Sequence, residues 1–255
     1  MTRVVLALAR RAIRGNLRRP QYLAPLVIFP TLFLAVNVGG LTETTSLEGF
    51  PEVRGFLDFQ LAGALTQSLL LGGVSTGIAC ALEIEGGFFD RLVASPIPRV
   101  AIVLGRLVAT GLIAAVQVLL FLALGLAFGA EIVGGVLGGL VVLVIGVVAG
   151  IGFGAIGQTI ALRAKNASTV QGIFPLVLVI LFASSAFFPR ALLSAPADTI
   201  SRFNPLSYVA EALRDPIIST VSLAPSIEGL AAAAGIALAA TGLSAVALRG
   251  RLRDA

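Results

Sequence analysis

The chain of 255 residues is 57% hydrophobic and only 12% charged, with a mean hydropathy of +1.01. That is far more apolar than a water-soluble domain, where about a quarter of the residues are charged. It carries a net charge of +5, no histidine and a single cysteine, Cys80, which excludes imidazole chemistry and an intrachain disulfide and leaves an integral membrane protein.

In chain order, the first 20 residues place Leu6, Ala9, Ile13 and Leu17 on one side of a helical wheel. Arg3, Arg10, Arg11, Arg14 and Arg18 lie opposite, with Val4 and Leu8 blurring the division. This pattern suits an interfacial helix among anionic headgroups; the plainer reading is that the arginines only set topology. The apolar run from Tyr22 to about Gly40 is too long for a signal-peptide core and is followed by further runs, so it reads as a first span. A spanning helix needs about 20 mostly apolar residues, which gives six: 22–40, 59–82, 101–128, 132–162, 170–188 and 226–248. The predicted fold is therefore an all-α, polytopic membrane protein with one domain over 1–255: an interfacial helix (1–20), a six-span bundle (22–248) and a basic tail (249–255). Within it Gly73 and Gly77, Gly125 and Gly129, and Gly146, Gly150 and Gly154 recur at four-residue spacing, which lets helix backbones approach closely. Cys80 reads as a small packing residue inside its apolar run.

Between the second and third runs, Ile84, Phe88 and Leu92 recur at helical spacing, Glu85, Asp90 and Arg91 lie off that stripe, and Pro96 and Pro98 stop the helix. A short helix over 84–94, lying across the membrane face and free to dock on a partner, is predicted. Further on, Phe187-Phe188-Pro189 should end the fifth span, and Asn204-Pro205 is a turn and helix-start signal, with Leu206 to Leu213 able to form two turns. Loop charge orients the chain. Fourteen of eighteen basic residues, including Arg163 and Lys165 after the fourth span, fall on one face, while nine acids lie on the other. By the positive-inside rule both termini are cytoplasmic.

The stretch at 83–99, together with the order Phe-Phe-Pro, Asn-Pro-Leu-Ser-Tyr and Leu-Arg over 187–214, resembles the ABC-2 type exporter permeases, a drug and lipid efflux family. A tryptophan that many relatives carry is absent from 191–198. The resemblance implies a multi-pass protein of a bacterial-type inner or plasma membrane, surrounded by lipid, and no nucleic-acid partner. It implies an N-terminal amphipathic helix beside an ATPase, short re-entrant helices between spans five and six, and a pair of permeases, identical or sibling, over two ATP-binding subunits. ATP and Mg would sit on those subunits, with no cofactor, metal or catalytic residue on this chain. In that frame Ile84, Phe88 and Leu92 form a docking stripe with Glu85, Asp90 and Arg91 as polar contacts. Arg163, Lys165 and Asn166 make a second contact, and Phe187, Phe188, Pro189, Asn204, Pro205 and Tyr208 form an outer gate or a passive lid.

What is missing agrees with a subunit driven from outside. No Gly-x-x-x-x-Gly-Lys-Ser/Thr loop is present, and no acid falls near the middle of a span. Two other classes stand beside the exporter. A secondary carrier could use Gln60, Gln67, Gln117, Gln158 and Gln171 as a polar route, although interfacial solvation explains them equally. The third class is an intramembrane enzyme or an assembly scaffold, and a hydrolase would need a nucleophile and base or metal ligands inside the bilayer that the sequence does not supply. Fifteen Phe with two Tyr and no Trp suit a lipophilic drug or lipid better than a polysaccharide or another polar substrate.

Overall fold

The computed structural model describes residues 1–251, which form helices and short connections with no strand among them. In order these are α1 (Thr2–Leu17), α2 (Pro20–Leu41), α3 (Phe56–Glu85), α4 (Phe88–Ala94), α5 (Arg99–Ala127), α6 (Gly135–Ala164), α7 (Ala167–Gly172), α8 (Phe174–Phe182), α9 (Ala197–Phe203), α10 (Pro205–Ile218) and α11 (Leu223–Arg251). Of the basic tail predicted at 249–255, residues 252–255 lie outside the described part.

Among the described residues, five segments are long and apolar enough to cross a membrane: Pro20–Ser46, Phe56–Glu85, Val100–Ala127, Gly135–Ala164 and Leu223–Gly250. They correspond to five of the six predicted spans. The remaining one, predicted at 170–188, is a shorter apolar segment, Ala167–Phe182, interrupted between α7 and α8. Pro175 lies in the first turn of α8 and has no N–H to continue α7. The helix ends at Phe182, seven residues before Pro189, and 183–188 continue as turns.

The bundle is organised around α3, which packs on α2, α5, α6 and α10 and is buried along most of its length. Its seam with α6 is made of glycine. A Cβ built on Gly73 would lie 2.6 Å from the Phe153 carbonyl oxygen, and one on Gly77 would lie 2.7 Å from that of Gly157. Gly146, Gly150 and Gly154 turn instead to Val118, Ala114 and Thr110 of α5. The two seams use the predicted spacing for close packing. Gly129 does not share that role: with φ +90 it terminates the chain direction just after α5.

A second device compensates for proline. Pro30 within α2 cannot donate to the Leu26 carbonyl, and the Ser68 hydroxyl of α3 donates to it at 2.7 Å. Gln117 of α5 holds Ser68 in turn, donating to its carbonyl and its hydroxyl, both at 2.9 Å. Gln60, Gln67, Gln117 and Gln158 are all buried inside the bundle, so interfacial solvation accounts for Gln171 alone, which is exposed.

Candidate functional site

Two ends of the bundle hold the residues singled out by sequence. At the arginine-rich end, the C-terminus of α3 meets the starts of α5 and α7. Here the predicted continuous helix over 84–94 is broken. Gly86 and Gly87 separate α3 from α4, and Gly87 takes the left-handed conformation, φ 65, that favours glycine. The break re-aims the stripe. Ile84, 6% exposed, belongs to the core, and so does Phe89, which is fully buried although sequence spacing favoured Phe88. Phe88 is half-buried, with the Arg11 guanidinium 3.2 Å above its ring. Leu92 packs partly against the same core, while Asp90 and Arg91 are exposed.

The second predicted contact lies against the first. Lys165 ends α6 at φ 62, and Asn166 caps α7 by accepting from the Thr169 N–H at 2.7 Å. The Glu85 carboxylate accepts from the Ala167 N–H at 2.8 Å, so it ties the end of α3 to the start of α7. Glu85, Asp90, Arg91, Arg163 and Lys165 are thereby exposed on neighbouring connections of one end.

Beneath them is a charge network that the sequence did not reveal. Glu83 pairs with Arg11 of α1 at 3.1 Å and with Arg106 of α5, joining three helices. Arg106 is nearly enclosed and its guanidinium stands 5.6 Å from the Phe89 ring centre. The node exists because α1 lies across α5. A Cβ on Gly105 would meet Leu8 at 2.7 Å, so the missing side chain sets the approach. The packed edge of α1 is accordingly Leu8 and Ala9, while Leu6 and Leu17 of the predicted apolar stripe are 57% and 66% exposed.

At the opposite end, Asn204 is the pin. Its side-chain oxygen accepts from the Leu206 N–H at 3.0 Å and caps α10, where Pro205 is the first residue. Its amide nitrogen donates to the carbonyls of Ile180 and Ala183 at 2.8 and 3.2 Å, closing the end of α8. One residue therefore terminates two helices. Phe187 is buried with ring centres 4.8 Å from Phe33 and 5.2 Å from Phe182, Pro189 is buried, and Phe188 is exposed. The Tyr208 hydroxyl donates to the Arg202 carbonyl at 2.9 Å, and Arg190 sits 4.7 Å over its ring.

α10 is longer than the two turns predicted and is wedged among α3, α6 and α11. Its Arg214, 4% exposed, donates to the carbonyls of Phe59 (3.3 Å), Ser185 (3.0 Å) and Ala186 (2.5 Å), with its guanidinium 3.9 Å from the Phe59 ring centre. Glu211, one turn earlier, accepts from the Ser185 hydroxyl at 2.5 Å and lies 2.7 Å from Arg190. This end is thus fastened by a buried cation on main-chain oxygens.

Comparison with known proteins places this architecture. The match to the ABC-2 type transporter family runs over residues 3–218, from α1 to the end of α10. The chain belongs to the ABC-2 type transporter family. Among its relatives, it is 28% identical over 211 residues to the daunorubicin resistance ABC transporter permease protein DrrB1 of Streptomyces coeruleorubidus, covering 80% of this chain and 71% of that protein. It is 26% identical over 216 residues to a putative transport permease, ycf38, of Pyropia yezoensis and to another of Porphyra purpurea, covering 82% of this chain and 72% of each. The ABC-2 match includes both ends described above, and α11 lies beyond it.

Proposed function

We propose that this ABC-2 family chain is the membrane-spanning subunit of an exporter that moves a lipophilic drug or lipid-like molecule out of the cytoplasm or inner leaflet. A separate ATP-binding subunit hydrolyses the ATP. The working unit is a pair of permeases, identical or sibling, over two such subunits in a bacterial-type inner or plasma membrane, with both termini cytoplasmic. The observation that carries this reading is the joining, through Glu85 and Ala167, of two exposed polar connections at the arginine-rich end. α4 with Asp90 and Arg91, and the turn with Arg163, Lys165 and Asn166, then form one docking surface for the ATPase. Half-buried Phe88 and Leu92 would be its apolar part, and Ile84 supports it from within.

A sixth crossing completes the topology. Ala167 is bonded to Glu85 at one end, and Ala186 is bonded to Arg214 at the other, so we read α7, α8 and the turns after them as the broken fifth span. A cavity of about 510 Å³ lies under α1, and a second of about 700 Å³ lies between α2, α3 and the α7–α8 break. Tyr22, Pro25, Leu26, Val74, Ile78 and Phe174 line the second. Its size and apolar walls fit a drug-sized molecule, in keeping with the daunorubicin named for the Streptomyces relative. In the alternating-access cycle, closure of the ATPases pushes α4, and the Glu83 node carries the motion into α3 and α5. Phe187, Phe188, Pro189, Asn204, Pro205 and Tyr208 then form the outer gate that restricts the exit.

Proteoliposomes containing the permease and its ATPase test the reading with a fluorescent lipophilic drug, a fluorescent lipid and a labelled oligosaccharide. ATP-dependent movement of the drug or lipid is expected. Accumulation driven by an ion gradient without ATP would make the chain a secondary carrier. Export of the oligosaccharide alone would favour the polar-substrate reading, to which the buried amides of Gln60 and Gln67, without a hydrogen-bond partner among the described residues, lend support.

A further inference from the structure

The 510 Å³ cavity between α1, α3 and α5 has an unusual charge balance. Arg10, Arg11, Arg14, Arg18, Arg19 and Arg106 line it, and Glu83 is its one carboxylate. Glu83 is already shared by Arg11 and Arg106. Among the described residues, Arg10, Arg14, Arg18 and Arg19 form no ion pair. These four guanidinium groups are exposed at one mouth, and their summed positive field favours an anion there.

The floor argues for what that anion is attached to. Thr76 and Ala79 of α3 and Ala109 and Thr110 of α5 close the cavity, all on long apolar helices and within two turns of Glu83 and Arg106. A charged mouth over a small, weakly polar floor at membrane depth matches a headgroup phosphate continuing into glycerol and acyl chain. An acidic protein surface would have to leave that floor empty. Leu6 and Leu17 are exposed on the same helix, which suits α1 to the headgroup layer where such lipids are found.

We propose that this cavity binds the phosphate of an anionic phospholipid headgroup, held by Arg10, Arg14, Arg18 and Arg19. The bound lipid fills the space between α1 and the bundle and steadies the helix that supplies Arg11 to the Glu83 node. The inference rests on α3 and α5 lying in a bilayer, not on ATP coupling, and binding is read without the ATPase, so its failure leaves the exporter reading untouched.

The full-length permease, purified in neutral detergent and stripped of lipid, is titrated with phosphatidylglycerol, phosphatidylcholine, glycerol 3-phosphate, inorganic phosphate and a poly-glutamate peptide, following the thermal unfolding midpoint. Phosphatidylglycerol should raise the midpoint in a salt-dependent way, phosphatidylcholine should not, and the soluble phosphates should bind at least tenfold more weakly. The Arg14→Gln/Arg18→Gln pair should lower phosphatidylglycerol affinity roughly 10-fold or more. Arg3→Gln/Arg249→Gln removes the same charge outside the cavity and should change affinity less than twofold. Equal losses in the two pairs would overturn the proposal in favour of diffuse attraction. Soluble phosphate binding as tightly as the lipid would overturn it in favour of a free-anion site, and binding of an acidic peptide with no response to lipid would assign the cavity to a protein.

Discussion

The two ends of the bundle are built from similar residues but fastened in opposite ways. At the arginine-rich end, helices are joined side chain to side chain, with Arg11, Glu83 and Arg106 across three helices, Arg11 over Phe88, and a left-handed glycine between α3 and α4. At the other end Arg214 and Asn204 bond to main-chain carbonyls of Phe59, Ser185, Ala186, Ile180 and Ala183. The Arg11–Glu83 contact can be remade as helices shift, because the Arg11 side chain is 46% exposed and water substitutes for Glu83 there at small cost, while Arg106 stays nearly enclosed on the same carboxylate. The buried Arg214 guanidinium cannot let go without stranding the Ser185 and Ala186 carbonyls. The first end is suited to relaying motion and the second to holding α3, α8 and α10 in register.

The contrast is most sharply tested by Arg214→Ala. Removing it leaves the Ser185 and Ala186 carbonyls buried without that donor, while the Phe59 carbonyl keeps its place in α3, and we expect a stability loss of about 3 kcal/mol or more. The measurement is thermal unfolding of the purified chain. Arg214→Lys should recover only part, since one ammonium cannot reach the three oxygens as a planar fork does. A loss below 1 kcal/mol would remove the distinction between the ends.

Glu83→Gln should come next, at about 2 kcal/mol, because nearly enclosed Arg106 loses its counter-charge. Transport should fall further than stability, since the same change unhooks α1. Glu85→Gln, with an exposed carboxylate on one N–H, should cost under ~1 kcal/mol in the same assay. Equal effects from the two would show that the node has no special standing.

Asn204→Ala removes the cap of α10 and the donor to the end of α8, and an expected loss of about 1–2 kcal/mol follows. Asn204→Asp keeps the α10 cap but not the donor, so it should fall between the two. Gly87→Ala should cost about 1 kcal/mol, for a side chain forced to positive φ. Its effect should appear in coupled transport before it appears in the unfolding midpoint.

These differences also explain what could be read from the sequence. Five of the six apolar runs, the glycine seams of α3 and α6, the cap at Asn204 and the polar connections at 83–99 and 163–166 are local signals, and they fell where periodicity and punctuation placed them; the run at 170–188 is instead a shorter segment broken between α7 and α8. The stripe Ile84, Phe88 and Leu92 was misdirected because helical spacing was carried through Gly86-Gly87. A left-handed glycine rotates the helix that follows, and Phe89 took the buried place. In α1 the packed edge was chosen by Gly105 on another helix, which no wheel of α1 contains, so Leu8 rather than Leu6 faces inward. The contacts of Arg11 and Arg106 with Glu83 and of Arg214 with Phe59 span 72, 23 and 155 residues, so no local pattern in the sequence pointed to them.

In the proposed exporter, α4 and its neighbours receive the ATPase and pass on its motion. Phe88→Ala in the reconstituted complex tests it most directly, read as ATPase association and substrate-stimulated ATP hydrolysis beside the unfolding midpoint of the permease alone. A docked aromatic at an interface can contribute on the order of 2 kcal/mol. Weakened association or lost stimulation is expected in a permease that still inserts and keeps its fold, whereas normal assembly with normal transport would remove the docking role of α4.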